Sequence, residues 1–121
     1  MKRDFELIRK ILREVENWPA DAPPGSVEFP GEYDLCNVNE HLALLVDAGL
    51  LDGRVLRGMD GLHGIVIFRV TWEGHDFLGS MKDETVWAAA KEKFLKPGAG
   101  VAFDVFRAWL RAEALRRFGL L

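Results

Sequence analysis

The amino-acid sequence predicts an α+β fold, mostly helical, in which a small helical core carries one β-hairpin. Apolar residues recur at helical spacing through most of the chain, the pattern of helices that bury one face. One run, Ile65-Val-Ile-Phe-Arg-Val-Thr71, is instead β-branched and aromatic and favours a strand. Gly58, Gly61 and Gly64 precede it and supply the turn that folds it back on the residues before.

Phe5, Ile8, Leu12 and Val15, with Leu7 and Ile11 beside them, form the first stripe, and Arg9, Lys10, Arg13, Glu14 and Glu16 fall between. This helix is expected to be capped by Asp4 or a residue just before it. Trp18-Pro19 ends it, because proline disfavours a helical residue immediately before it. Ala20 to Ser26 is a cluster of turn formers and reads as a loop. Val27-Glu28-Phe29 alternates ahead of Pro30-Gly31, as a very short strand would. Asn37 and Glu40 have the spacing of a capping box, so a second helix is expected from Asn37 to Ala48. Val38, Leu42, Leu45 and Val46 form its stripe, and Gly49 closes it in the left-handed conformation.

Leu50-Leu51 and Val55-Leu56 continue as the first hairpin strand, Met59 to Gly64 form the tip, and Ile65 to Thr71 return. Thr71 caps a third helix running to Met81, in which Gly74 is an unfavourable residue. A fourth helix spans Thr85 to Leu95, with Val86, Trp87, Ala90 and Phe94 on one side and Pro97-Gly98 as its stop. The last, Val101 to Phe118, spreads Ala102, Phe103, Val105, Phe106, Trp109 and Leu110 over a broad face, with Asp104, Arg107 and Arg111 opposite.

At 121 residues the chain suits a single domain, with a core over residues 1–81 and a helical extension over 82–121. A composition 49% hydrophobic and 29% charged is globular rather than disordered. No apolar run approaches the roughly 20 residues that cross a bilayer, and the first residues lack a secretory signal's apolar stretch. The single cysteine, Cys36, cannot form an intramolecular disulfide, which fits a reducing compartment. A cytoplasmic protein without a membrane partner is expected.

The order helix, short strand, helix, hairpin, helices matches the winged variant of the helix-turn-helix, with the Asn37 helix in the recognition position and the hairpin as wing. Glu40-His-Leu-Ala-Leu-Leu-Val-Asp-Ala-Gly-Leu-Leu51 resembles the end of that helix in many winged-helix regulators. Val70-Thr-Trp-Glu-Gly-His-Asp-Phe-Leu78 resembles the element that follows their wing. Met1 to Leu12, the His41 helix, Thr71 to Leu78 and Asp83-Glu-Thr-Val-Trp87 together resemble the domain of unknown function family twenty-five thirteen of bacteria, phages and prophages. The resemblance covers Met1 to about Lys96 and implies a winged-helix-like fold in a phage or prophage setting. It carries no activity and no site residues over.

Charge decides between the roles such a fold takes. The net charge of −3 gives no global attraction to nucleic acid. From Asn37 to Asp52 there is no Lys or Arg, while Glu40, Asp47 and Asp52 are acidic, which opposes phosphate contact. Asn37 and Asn39 have the chemistry to read base edges. Arg54, Arg57, His63 and Arg69 of the wing, and Lys2, Arg3, Arg9, Lys10 and Arg13 of the first helix, are the candidate phosphate contacts. Phe103, Phe106, Trp109 and Leu110 are the candidate association face, for a homodimer or a protein partner.

Cys36, His41 and His75 lack metal-ligand spacing, and His41 is expected to pack beside Leu42 and bond neighbouring backbone. No positioned base accompanies Cys36, and the Gly58 to Gly64 loop leads into a strand rather than the helix a phosphate cradle requires. Glu73, His75 and Asp76 read as first-turn residues of a helix rather than acid-base machinery. No cofactor and no catalysis are therefore expected. The leading expectation is a non-enzymatic regulatory or adaptor module acting by protein interaction or self-association; the alternative is a sequence-specific DNA-binding transcriptional regulator.

Overall fold

A computed structural model describes residues 2–94 and 103–119, the side chain of His63 apart. Among them lie α1 (Phe5–Glu16), α2 (Leu35–Asp47), β1 (Leu51–Gly58), β2 (Gly61–Val70), α3 (Trp72–Met81), α4 (Glu84–Phe94) and α5 (Phe103–Arg117). The fold is α+β and mostly helical. Leu95, the Pro97-Gly98 stop and the expected helical residues Val101 and Ala102 lie outside the described residues. The chain divides into two compact units, Met1–His75 and Asp76–Leu121.

In the first unit, α1 starts where the Asp4 carboxylate accepts the Glu6 and Leu7 backbone N–H groups at 3.0 and 3.1 Å, relieving two donors that a helix start leaves unpaired. Its stripe of Phe5, Leu7, Ile8, Ile11, Leu12 and Val15 is buried as the spacing predicts. Arg9, expected on the solvated side, is buried too.

The expected strand at Val27-Glu28-Phe29 does not form. Pairing beside β2 is a single bridge two residues earlier, where Gly25 and Ile67 exchange backbone hydrogen bonds of 3.0 and 2.7 Å. Phe29 is already committed to a turn, since its carbonyl accepts the N–H groups of Glu32 and Tyr33. That turn is fastened to α1. Lys10 bonds Glu32, its ammonium lies 6.0 and 5.7 Å from the Phe29 and Tyr33 ring centroids, and the Glu32 bond holds the lysine above its ordinary pKa.

The turn delivers Asp34 in an extended conformation, so α2 begins at Leu35 and not at Asn37. The Asn37/Glu40 capping box is thereby corrected: both residues lie inside the helix. At the other end Gly49, at φ +78°, completes a Schellman motif, with Gly49 N–H bonded to Val46 and Leu50 N–H to Leu45 at 3.0 and 2.9 Å.

β1 and β2 pair antiparallel from Leu51↔Val70 to Gly58↔Gly61, so residues 50–71 form the expected hairpin. The tip is tighter than expected, because Gly61 to Gly64 already belong to β2. Register shifts beside Gly53 and Arg57 bend the ribbon. Ile67 and Val70 point into the core.

The hairpin base is tied at Thr71. Its hydroxyl donates to the Gly49 carbonyl at 2.6 Å and accepts the Gly74 N–H at 3.0 Å, while its own N–H reaches the Leu50 carbonyl at 3.2 Å. Gly74, an unfavourable helical residue by propensity, is required by packing: a Cβ there would lie 2.0 Å from the Leu50 carbonyl oxygen.

In the second unit, α5 packs Phe106 edge-on against Phe77, Trp87 and Phe94, with centroids 5.8–6.4 Å apart. Asp83 caps α4, its carboxylate accepting the Thr85 and Val86 N–H groups at 2.8 and 3.0 Å. These bonds, Val86 foremost, hold its carboxyl below the ordinary carboxylate range.

Two outcomes follow for stability. Gly74→Ala should destabilise by about 1–3 kcal/mol in urea unfolding. Gly79→Ala, in the same helix where an added Cβ meets nothing within 4 Å, should gain up to about 1 kcal/mol. For Asp83 the depressed folded pKa means its contribution is complete above the unfolded value of about 4 and fades as pH falls through the folded one. Melting points measured from about pH 5 to pH 2 should therefore fall more in the native protein than in Asp83→Asn, which caps without titrating.

Candidate interaction surface of the hairpin

The sequence puts forward α2 as the reading element, and the geometry removes most of its reading face. Val38, His41, Leu42, Ala43 and Leu45 are buried, Leu35, Cys36 and Asp47 are exposed, and the other residues of α2 are half-buried. Asn37 and Asn39 are half-buried, and the Asn39 side-chain oxygen is sealed from solvent with no hydrogen-bond partner. That carbonyl cannot meet a base edge where it stands. His41 is wholly interior, as a structural residue: Nδ1–H donates to the Asn37 carbonyl at 2.8 Å, and Nε2 accepts the Asp4 backbone N–H at 2.9 Å. One imidazole thus ties the start of α1 to α2.

The wing arginines do not form one free cationic surface. Arg57 reaches Glu40 at 3.6 Å and Arg69 reaches Asp52 at 3.4 Å, so each faces a carboxylate of its own chain. Such exposed pairs contribute little stability, yet they cancel charge locally. Arg54 is exposed and lies across the ladder from Val66. In the first helix, Arg9 is buried and Lys10 is held by Glu32. The bases expected from sequence are therefore scattered and largely engaged.

What the hairpin does present is apolar. Strand alternation turns Ile67 inward and leaves Val66 outward, beside Leu56 and Arg54 on the ribbon's outer face. Leu56 is 65% exposed, Met59 stands fully exposed at the tip, and Trp72, just past β2, is 80% exposed. Phe68, 40% exposed, lines a shallow cleft of about 270 Å³ with Val15, Trp18, Pro19, Glu16 and His75. His75 Nδ1 and Glu16 Oε2 are 3.5 Å apart at its edge. The sequence reasoning passed over Leu56, Val66, Phe68 and Trp72. The signal was the alternation itself, since a two-stranded ribbon laid on a core can have only one face covered.

The association face named from sequence is corrected. Phe106 and Leu110 are 0% exposed, enclosed by their own unit. Phe103 and Trp109 are half-buried and stack edge-on against Phe77 and Phe94, at 5.2 and 5.3 Å between centroids. The broad apolar face was real, and the chain covers it itself.

Cys36 is exposed and free, and no group of three or more His, Cys, Asp or Glu side chains among the described residues is placed to hold a metal ion. No helix is long and apolar enough to cross a membrane among the described residues.

These features define a mostly helical α+β protein whose exposed apolar side chains concentrate on and beside one hairpin. The chain belongs to the family described as hypothetical protein (DUF2513), whose model matches residues 2–101. It is similar to an uncharacterized protein of Haemophilus influenzae (strain ATCC 51907 / DSM 11121 / KW20 / Rd), 27% identical over 111 residues that cover 88% of this chain and 90% of the relative. No solved structure matches. α1 to α4 and the hairpin fall within the family match, and α5 lies beyond it.

Proposed function

We propose that the protein is a small non-enzymatic regulatory or adaptor module of winged-helix type that binds another protein through its hairpin. The observation that carries this reading is the contrast between the two elements. α2 turns Val38, His41, Leu42, Ala43 and Leu45 into the core, while Leu56, Val66 and Trp72 expose apolar surface that no element among the described residues covers. Exposed apolar side chains gathered on one element mark interaction surfaces more often than chance placement does. Arg54 beside them suits a partner with an apolar patch and a nearby acidic residue.

The winged-helix assignment rests on the order α1, Gly25 bridge, α2, hairpin. A two-helix reading motif would need a further helix before α2, and the Phe29–Tyr33 turn occupies that place. The arrangement suits a wing-based contact better than a helix laid in a groove.

The second reading, a sequence-specific DNA-binding regulator, is favoured by exposed Arg54 at the ribbon. The two readings separate in one series of binding measurements. A partner purified as a stoichiometric complex with the intact chain should lose affinity at least tenfold with Leu56→Glu or Trp72→Ala, roughly the effect of one central interface residue. Random duplex should show little binding even at low salt. Duplex binding whose logarithm falls with log salt at a slope near −3 or steeper, the mark of three or more neutralised phosphates, and which ignores Leu56→Glu, would establish the DNA reading instead.

A further inference from the structure

We infer that α5 carries a second, self-complementary face through which two copies of the chain pair as an antiparallel homodimer. This does not depend on what the hairpin binds. The buried side of α5 is spent on Phe106 and Leu110. Its opposite side carries Val105, Ala108, Ala112 and Leu115, spaced three, four and three residues apart, the heptad spacing of a helix seam. Val105 is 55% exposed, and Ala108 and Ala112 are exposed. This stripe is distinct from the face enclosed by Phe77, Trp87 and Phe94.

The charges beside the stripe select the occupant. Asp104 and Arg111 are seven residues apart, two helical turns, and so lie on one flank of the seam. Both are exposed, and neither has an ion-pair partner among the described residues, whereas Arg116 and Arg117 are engaged by Glu113. In an antiparallel pair related by a two-fold axis, like flanks meet. A crossing centred on Ala108 then sets Asp104 of each copy against Arg111 of the other, and Val105 against Ala112. In a parallel pair unlike flanks meet instead, so Asp104 and Arg111 would lie across the seam from the opposite flank of the other copy and would not meet each other.

Alanine at the crossing allows an approach of about 8 Å, at the close end for packed helices. Opposed helix dipoles add to the preference. An unrelated partner would have to reproduce both the spacing and the charge order, which a second copy supplies without further requirement.

The test uses the full chain and sedimentation equilibrium. A dimer is expected, with Ala108→Arg monomeric at unchanged helical circular dichroism. Asp104→Arg and Arg111→Asp should each weaken the dimer about tenfold or more by placing like charges across the axis, and the double exchange should restore it. Because both positions are exposed, this pair reports even if Ala108→Arg misfolds. In a Cys36→Ser background, Ala108→Cys should oxidise to a disulfide-linked dimer while Val105→Cys should not. A chain that stays monomeric at about 100 μM, a concentration at which contacts of about 5.5 kcal/mol would register, overturns the inference. So does a dimer indifferent to both charge exchanges.

Discussion

The first unit depends on one junction, where the end of α2 and the end of β2 are bound together through Thr71. Three hydrogen bonds converge there, from the Thr71 hydroxyl to Gly49, from the Gly74 N–H to that hydroxyl, and from the Thr71 N–H to Leu50. Each satisfies a backbone group that the end of a helix or strand would leave orphaned. The junction also tolerates no side chain at Gly74, because α3 lies directly on the Leu50 carbonyl. Gly49 reverses the chain on one side and Gly74 permits contact on the other, so the two strands leave the core as one ribbon.

A two-stranded hairpin has marginal stability alone in water. Here its base is anchored by the junction and its inner face by buried Leu51, Ile67 and Val70, while Gly25 adds one bridge along β2. The outer face gains nothing from this support, and Leu56 and Val66 are left to solvent. α2 has the opposite fate. His41 spends both ring nitrogens on the backbone of Asp4 and Asn37, and the residues around it fill the core.

Where backbone chemistry is local, the sequence was readable. Asp4, Gly49 and Thr71 cap the elements they were expected to cap, the stripe of α1 is the stripe that is buried, and the hairpin pairs over the expected residues. Expectations failed where a long-range contact outweighed a local motif. Asn37 and Glu40 have the spacing of a capping box, but the turn at Phe29 to Tyr33, pinned by Lys10, starts α2 two residues earlier. Val27 alternates like a strand residue and is buried, yet the chain turns too soon after it to pair. Ranking arginines by position could not foresee that Glu40 and Asp52 lie opposite Arg57 and Arg69, since that is set by register and by helix placement. The broad apolar face of α5 was visible; what fills it was not, because Phe77, Trp87 and Phe94 arrive from elsewhere in the chain.

The interaction reading therefore rests on an inversion of the roles that the two elements have in a helix-reading protein: helix inside, ribbon outside. Solvent relaxation of methyl groups by an inert soluble paramagnet addresses that directly. The methyl signals of Leu56 and Val66 should broaden strongly, while those of Val38 and Leu42 stay sharp. Equal broadening of the α2 and hairpin methyls would mean that α2 is open to solvent, and would contradict the account at its root.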